Sequence, residues 1–598
     1  MPRRAGRLGW FLVWAVVYCD IGTSVFYVPG ILWETDGEQA GFYVAATLAA
    51  FALLAIKVVD VTRRFPGGGG VVSVADRAFG PWVGCLGGQL IQVDYFLTVA
   101  ISATAGVYYV DSLVGFGPLV LPLAVACVAV LAALNIVGLR ESARVSGALA
   151  VAALLVNLVV IGLAVTHAPA GTAAHIADAG RQLGGAEPWR LLTGFAGAWL
   201  AFSGLESMAQ LAPAMRDLSE TPRRAMLAVV ASVAATVPAI TFLSLALLPA
   251  DVKSAHVERF VSSLAATVGG VPLQVATVLT AAALLMLAAN TAILGNYHVF
   301  LALTRRSFLP VGVAALSHRY QTPYRAILLS TGIPIGVILI VAGDITRLGE
   351  LYAFGLLGAF VISSASLDVL RWRDGERGPG FALGVFTTAL VLVAFMVNLV
   401  EKPEAAVYGL SFVAVGMVIA VGSRTGALDR VIERIPGLAP PRIADATDIP
   451  FHTLEKAEAL ERDPNPGILV ASRGAAEAIF REAVERARSR GQSQIFLLYV
   501  DEVPGLFYPQ LVAPTPEGLT VLQSGCRVIR ELGLEVVPVW TVSHSAAGSV
   551  AEAAETLGCD TVIIGATQRT VIWQALRGAF VQDLMGILPA RIRLVVVG

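Results

Sequence analysis

Tyr18-Cys19-Asp20-Ile21-Gly22-Thr23-Ser24-Val25-Phe26-Tyr27-Val28-Pro29-Gly30 sets a carboxylate inside an apolar run long enough to cross a bilayer. An acidic side chain at that depth costs at least ~2.5–3.5 kcal/mol on insertion scales, and such groups usually face a pathway for ions or protons. Gly22, Pro29 and Gly30 weaken the helix around it. Backbone freed by a break is tolerated in a membrane only where it lines protein or water. The stretch therefore reads as an interrupted spanning helix with a binding site at the interruption. A carboxylate that simply caps its own broken helix would leave the same signature, and the two roles are compatible.

The rest of the chain agrees with a membrane setting. Of 598 residues, 56% are hydrophobic and 14% charged, against roughly 25% charged in soluble domains. A net charge of −1 gives no overall basic field for nucleic acid. The cysteines Cys19, Cys85, Cys127, Cys526 and Cys559 lie far apart and offer neither a disulfide framework nor a paired zinc motif. Apolar runs of about 20 residues, enough to span, fall near 10–33, 41–59, 82–112, 117–138, 146–166, 189–212, 224–248, 271–303, 323–342, 347–370, 380–400 and 405–422. This predicts about twelve transmembrane helices. The run after Arg3, Arg4 and Arg7 is too long for a signal peptide and lacks a small-residue cleavage site, so it is expected to be a retained span. Arginines collect on alternate loops, at the N-terminus, Arg63-Arg64, Arg140, Arg223-Arg224, Arg305-Arg306 and Arg371. Both termini are therefore expected on the cytoplasmic side of the cell (inner) membrane.

Composition changes after residue 422. Residues 1–423 form the predicted transmembrane domain, 424–465 a linker carrying Pro436, Pro440 and Pro441, and 466–598 a soluble domain. In the last, strands at 467–471, 494–500, 535–541, 561–565 and 593–597 alternate with helices at 475–490, 516–531, 546–557 and 572–586. That alternation predicts a cytoplasmic α/β domain with a parallel sheet covered on both faces.

Within the membrane half, Phe202-Ser203-Gly204-Leu205-Glu206-Ser207 is a second small-residue break beside a carboxylate. Interrupted spans five helices apart point to an inverted repeat, helices 1–5 against 6–10, with the site between the broken helices. Asp20 and Tyr27, seven apart, are expected to turn toward one cavity. Thr98 and Ser102 stack two hydroxyls at i, i+4 on the third span, although membrane hydroxyls often bond back to the preceding turn. Tyr352 lies in Leu351-Tyr352-Ala353-Phe354-Gly355, and tyrosine is also common at bilayer interfaces. Such oxygen donors replace the water shell of a cation, whereas helix N-termini at the same break would suit a substrate carboxylate. Composition leaves both open.

The first-helix run resembles the signature of the KUP/HAK/KT potassium transporters, Asp-Ile-Gly-Thr-Ser followed by Tyr. Residues 93–106, 203–207, 351–355, Ala288-Ala289-Asn290-Thr291-Ala292 and Phe308-Leu309-Pro310 resemble the KimA-type potassium importers of the amino acid–polyamine–cation (APC) superfamily. The resemblance implies a LeuT-like 5+5 inverted-repeat fold and proton-coupled potassium uptake. By it, Asp20, Tyr27, Thr98, Ser102, Ser203 and Tyr352 coordinate the cation, with Ser203 where those importers carry threonine. Asp20 and Glu206 are the implied proton carriers. The pattern departs from the family at Gly295 and His298, where an Asp and an Arg are usual, which bears on the inner gate. The Ser-Gly-x-Glu pattern also occurs in amino-acid permeases of the superfamily.

The tail resembles a universal stress protein domain. The resemblance implies a regulatory domain, or one that joins two copies into a homodimer, with a nucleotide such as ATP or cyclic di-AMP as candidate ligand. Gly565, Arg569, Arg577 and Gly578 occupy the matching loop, but the Asp expected after the first strand is missing and Gln568 replaces a glycine. The expected protein is thus a secondary transporter needing no cofactor, with the lipid bilayer, a small cation and a proton as partners. The rivals are an amino-acid permease, against which Asp20 speaks by charge, and a transport-inactive membrane sensor. The chain has no Walker-type Gly-x-x-x-x-Gly-Lys-Ser/Thr to make it a pump.

Overall fold

The computed structural model describes residues 8–68, 70–138, 143–315, 317, 320, 322–428, 451–454, 457, 467–474, 477–492, 494–502, 514–543, 545–565, 580–589 and 591–597. The chain forms two compact units, one within Met1–Leu438 and the other made mainly of Ala439–Gly598.

The first unit is helical. Its opening run is interrupted as expected: α1 (Trp10–Ile21) stops at Gly22, a tight 3-10 turn covers Gly22–Phe26, and α2 (Val28–Asp36) begins with Pro29 in its first turn. Hydroxyls satisfy the carbonyls that the break releases. Thr23 donates to the Asp20 carbonyl at 2.6 Å, Ser24 to that of Ile21 at 2.8 Å, and Tyr109 to that of Phe26 at 2.7 Å. Next come α3 (Ala40–Arg64), α4 (Gly70–Phe79), α5 (Pro81–Val114), α6 (Val120–Val137), α7 (Ala143–Thr166) and α8 (Thr172–Leu183). A second interruption follows: α9 (Pro188–Gly197), a 3-10 turn over Ala198–Phe202, extended Ser203, and α10 (Glu206–Gln210). The remaining helices are α11 (Thr221–Leu247), α12 (Ala250–Ala255), α13 (Phe260–Arg305), α14 (Tyr324–Ile340), α15 (Ile345–Arg373), α16 (Pro379–Glu401) and α17 (Pro403–Arg424).

Nine helical stretches among the described residues are long and apolar enough to cross a membrane. The other three of the twelve predicted spans are the two interrupted runs and α14, which has 17 residues. The sequence pattern does not announce α4, α8 and α12, because helices of 10, 12 and 6 residues are too short to leave a long apolar run. α13 begins earlier than the expected 271, and a positive φ of 65° at Gly270 bends it where the predicted span starts.

α5 is the axis of this unit, buried along its apolar length and packed against α13, α15 and α4. Gly355 lets α15 approach it closely, since a Cβ there would come within 2.6 Å of the Asp94 backbone nitrogen. Tyr352 lies one turn before that contact. Elsewhere α3 and α15 are joined by a ladder of opposite charges: Lys57 with Asp368 at 2.6 Å, Asp60 with Arg371 at 2.7 Å, and Arg64 with Asp374 at 2.5 Å. Spacings of three and four residues keep each set on one helix face. Val130, Leu155, Ile340 and Val418 are exposed apolar residues on outer helices, the composition of a lipid-facing surface.

The second unit carries a six-stranded, all-parallel sheet in the order β1-β4-β3-β2-β5-β6. Its strands are β1 (His452–Thr453), β2 (Gly467–Ala471), β3 (Gln494–Glu502), β4 (Glu535–Ser543), β5 (Cys559–Gly565) and β6 (Arg593–Val597). The helices are α18 (Glu477–Ser489), α19 (Pro516–Glu531), α20 (Ala546–Thr556) and α21 (Phe580–Ile587). Alternate strand residues feed two cores. Leu469, Phe496, Leu498, Val539 and Val562 pack against α20 and α21. Ile468, Val470, Leu497, Trp540 and Ile563 pack against α18 and α19. Burial pushes the Cys526 thiol in the second core up to about 11, so it stays protonated and inert near neutral pH.

One expected boundary moves. The stretch 424–465 was expected to be linker, yet His452 and Thr453 pair with Val539 and Trp540, and Leu454 and Ala457 are buried in the first core. The parallel sheet begins before residue 466 because the edge of β4 takes up this short strand. The helix expected at 572–586 is described only as Phe580–Ile587.

Candidate functional site

The two interruptions meet. Ser24 in the first break shares its one hydroxyl proton between the Ile21 carbonyl and, at 2.7 Å, the Ala201 carbonyl of the second break, holding the 3-10 turns side by side. Asp20, the second-last residue of α1, is 4% exposed. Its carboxylate lies against Gly204, whose φ is +90°; a Cβ there would stand 2.7 Å from Asp20 Cγ, 2.8 Å from Oδ2 and 3.0 Å from Oδ1. Glycine serves twice, since the left-handed region disfavours other residues and the carboxylate leaves no room for a side chain. The Ser207 hydroxyl, in the first turn of α10, donates to Asp20 Oδ2.

Across the break, Tyr27 is buried, with its phenol beside Ser203 and Thr23 and in the field of Asp20 and Asp94. Tyr352 of α15 is also buried, and its hydroxyl lies 2.8 Å from Thr98 Oγ1. Thr98 also donates to the Asp94 carbonyl at 2.9 Å, and the Tyr352 phenol also faces the Asp94 side chain, so each hydroxyl is shared between the other and a group of Asp94. Ser203 faces both tyrosines. Five of the six residues expected to form a cation site, Asp20, Tyr27, Thr98, Ser203 and Tyr352, thus converge from α1, the first break, α5, the second break and α15. Ser102, the sixth, lies one turn beyond Thr98 on α5, and its Oγ is buried without a hydrogen-bond partner. Glu206 is buried at the start of α10, its charge felt by Tyr95 and by Asp94.

Three neighbours were not singled out from the sequence. Asp94 is 1% exposed, its Oδ1 has no hydrogen-bond partner, and it interacts electrostatically with Asp20, Tyr352 and Glu206. The signal was present: a carboxylate inside an apolar run carries the same cost as Asp20, but no Gly or Pro flanks it. Ser207 and Gly204 were visible only as part of a break. On the distal side of Asp94, Gln210 donates to the Tyr95 hydroxyl. Three carboxylates therefore converge with phenolic and aliphatic hydroxyls. Such hard oxygen donors suit a desolvated cation and disfavour an anion.

In the second unit Gly565 ends β5, and a Cβ on it would come within 2.8 Å of Ile479 in α18, so this glycine serves helix–sheet packing. Arg569, Arg577 and Gly578, the other residues of the expected nucleotide loop, lie outside the described residues.

The profile of the amino acid permease family matches residues 8–422. The potassium transporter KimA of Bacillus subtilis (strain 168) is 26% identical over 376 residues, which cover 60% of this chain and 60% of KimA. The uncharacterized transporter Rv1999c of Mycobacterium tuberculosis (strain ATCC 25618 / H37Rv) is 29% identical over 408 residues, 66% of this chain and 87% of that one. The low-affinity putrescine importer PlaP of Escherichia coli (strain K12) is 24% identical over 410 residues, 65% of this chain and 88% of PlaP. Among solved structures, the universal stress protein from Archaeoglobus fulgidus matches at 18% identity and a TM-score of 0.18, covering 22% of this chain and 99% of its own.

Proposed function

Because this chain belongs to the amino acid permease family of the APC superfamily, and is therefore a multi-pass membrane transporter and not an enzyme, we propose that it carries potassium inward, coupled to protons. The single observation that supports this substrate is the Asp20 carboxylate, held between Ser207 and the bare backbone of Gly204 and facing Tyr27. A fixed anion there attracts a cation and repels a substrate carboxylate. The phenols and hydroxyls of Tyr27, Thr98, Ser203 and Tyr352 replace part of the cation's water shell, and Ser102 extends that row of donors along α5. Asp20 and Glu206 are the carboxylates that exchange protons with the cycle. In this reading the membrane is the cell membrane, both termini are cytoplasmic, and the C-terminal domain regulates the transporter or pairs two copies of it.

Asp20→Asn is expected to abolish rubidium uptake, rubidium standing for potassium, while the protein still reaches the membrane of a host lacking potassium import. Uptake at the unaltered rate would remove Asp20 from the mechanism. A diamine is the second reading, supported by the presence of Asp94 as a further carboxylate at the site. Putrescine that competes with rubidium and is itself accumulated would favour the diamine; accumulated amino acids would overturn both.

A further inference from the structure

Where α5 ends, the segment between α11 and α13 is tied down on two sides. It consists of α12, His256 and a 3-10 turn over Val257–Arg259. Toward α2 it leaves no space: a Cβ on Gly30 would fall 1.8 Å from the Val257 carbonyl oxygen, and the rings of Trp33 and Phe260 are 6.0 Å apart. Lys253 adds a bond to Glu38, just after α2, at 2.5 Å. Toward α5, Arg259 Nη1 donates to Asp111 Oδ2 at 3.1 Å, and the Ser112 and Ser262 hydroxyls are 2.8 Å apart. The same stretch of α5 holds the first break, through Tyr109 and the Phe26 carbonyl. The segment thus lies between α5 and the half of the interrupted helix that follows the break.

His256 is built into the Arg259 contact. Arg259 Nη2 donates to His256 Nδ1 at 2.8 Å. A guanidinium accepts no hydrogen bond, so Nδ1 presents its lone pair and the imidazole is neutral in this arrangement. Glu258 Oε1 lies 3.4 Å from Arg259 Nε and 3.9 Å from the same His256 Nδ1. One carboxylate is therefore within reach of both groups.

We propose that Arg259 is a latch closing this segment onto α5, and that protonation of His256 loosens it. A proton on Nδ1 removes the acceptor of Arg259 Nη2 and sets two positive charges side by side. The new N–H turns to Glu258 Oε1 and draws that carboxylate from Arg259, which keeps Asp111 alone. The proton comes from, and returns to, the water that the 39% exposed His256 side chain faces. Acid on this face, the outer one in the reading above, thereby frees α2 to shift, whichever substrate the site carries.

Other charges surround the latch. On its own segment, α12 carries Asp251 and Lys253, the latter committed to Glu38 and the Leu245 carbonyl. From α5 come Asp111 and the Tyr108 phenol, which also feels Asp344 at the start of α15. On α2, Glu34 accepts from Thr346 and Asp36 from Thr35, and the first turns of α13 hold no ionisable residue. Histidine is the side chain whose ordinary charge change falls between about pH 5 and pH 8. His175, 3.5 Å from Glu38, is a second one on this face, so the test varies position 256 itself.

The full chain in lipid nanodiscs, followed by hydrogen–deuterium exchange at about pH 5 and about pH 8, reads the latch directly. Protection of residues 250–262 and 28–36 is compared after correction for the intrinsic exchange rate. In the parent protein it is expected to be about tenfold lower in acid, the effect of one lost charge-assisted hydrogen bond. His256→Gln keeps an acceptor that takes no proton and is expected to hold the alkaline value at both. Asp111→Asn is expected to give the lower value at both. Equal protection of the parent at the two pH values overturns the proposal, as does a His256→Gln protein that retains most of the parent's pH dependence. An Asp111→Asn protein with parent protection at about pH 8 also overturns it. If His256→Gln is not recovered in the membrane, His256→Asn is read in its place by the same criteria. No ion flux enters the measurement, so its outcome is separate from that of the rubidium test.

Discussion

Gly204 carries two demands at one position, a positive φ and a van der Waals boundary formed by a carboxylate. A non-glycine residue in strained backbone costs roughly 1–3 kcal/mol, and the Cβ of alanine would also push Asp20 away from Ser207. Gly204→Ala is therefore expected to lower rubidium uptake by about 10- to 100-fold, since about 1.4 kcal/mol corresponds to a factor of ten, with little change in the amount of protein in the membrane. A dose–response curve separates displaced binding, which raises KM, from a stalled cycle, which lowers the maximal rate. Asp20 itself was legible in the sequence because its charge sits close to Gly22, Pro29 and Gly30, an anomaly within about three turns. Asp94 was not singled out because it stands in unbroken helix. Ser207 was invisible as a partner because it reaches Asp20 across 187 residues, and no local pattern records such a contact.

Among the elements, α5 and α15 share the site through one hydroxyl pair. Thr98→Val and Tyr352→Phe each remove one end of the 2.8 Å contact. A neutral hydrogen bond is worth about 0.5–1.5 kcal/mol. Each single variant is expected to weaken rubidium affinity severalfold, and the double variant to fall short of the product of the two by a similar factor. A four-member cycle of affinities measures that coupling; strictly multiplicative effects would show that the two hydroxyls act on the cation independently. The interrupted helices themselves were readable, since glycine, proline and small residues punctuate otherwise continuous apolar runs. The α3–α15 ladder was less so. Lys57, Asp60 and Arg64 look like the ordinary polar end of a span until Asp368, Arg371 and Asp374 supply the opposite sign at the same spacing. Pairing between helices 300 residues apart is a property of packing, which periodicity within one helix does not contain.

Taken whole, the chain joins an assembly of lipid-facing helices to a domain with its own pair of cores. Leu469 in β2 is fully buried in one of them. Leu469→Ala, at a cost of about 2–5 kcal/mol, is expected to lower the melting transition of the α/β domain while leaving that of the helical unit unchanged. Calorimetry on the purified protein reads both, and a parallel fall of the two would mean that they unfold together. The two-part architecture was evident from the change of composition near 422, and the strand–helix alternation placed most of the sheet. What it did not place was β1, two residues long and separated from β2 by fewer than twenty positions, too short for any alternation to register.

That small strand bears on how the C-terminal domain behaves when handled by itself. His452 and Thr453 cover Val539 and Trp540 on the flank of β4, and the residues just after them, Leu454 and Ala457, fill the core beneath. A fragment begun at Gly467 would uncover Val539 and Trp540 on the outer flank of β4 and open a hole next to them. Unpaired strand flanks of that composition recruit other chains, so the shorter fragment would be expected to precipitate or self-associate where one begun before His452 stays dispersed.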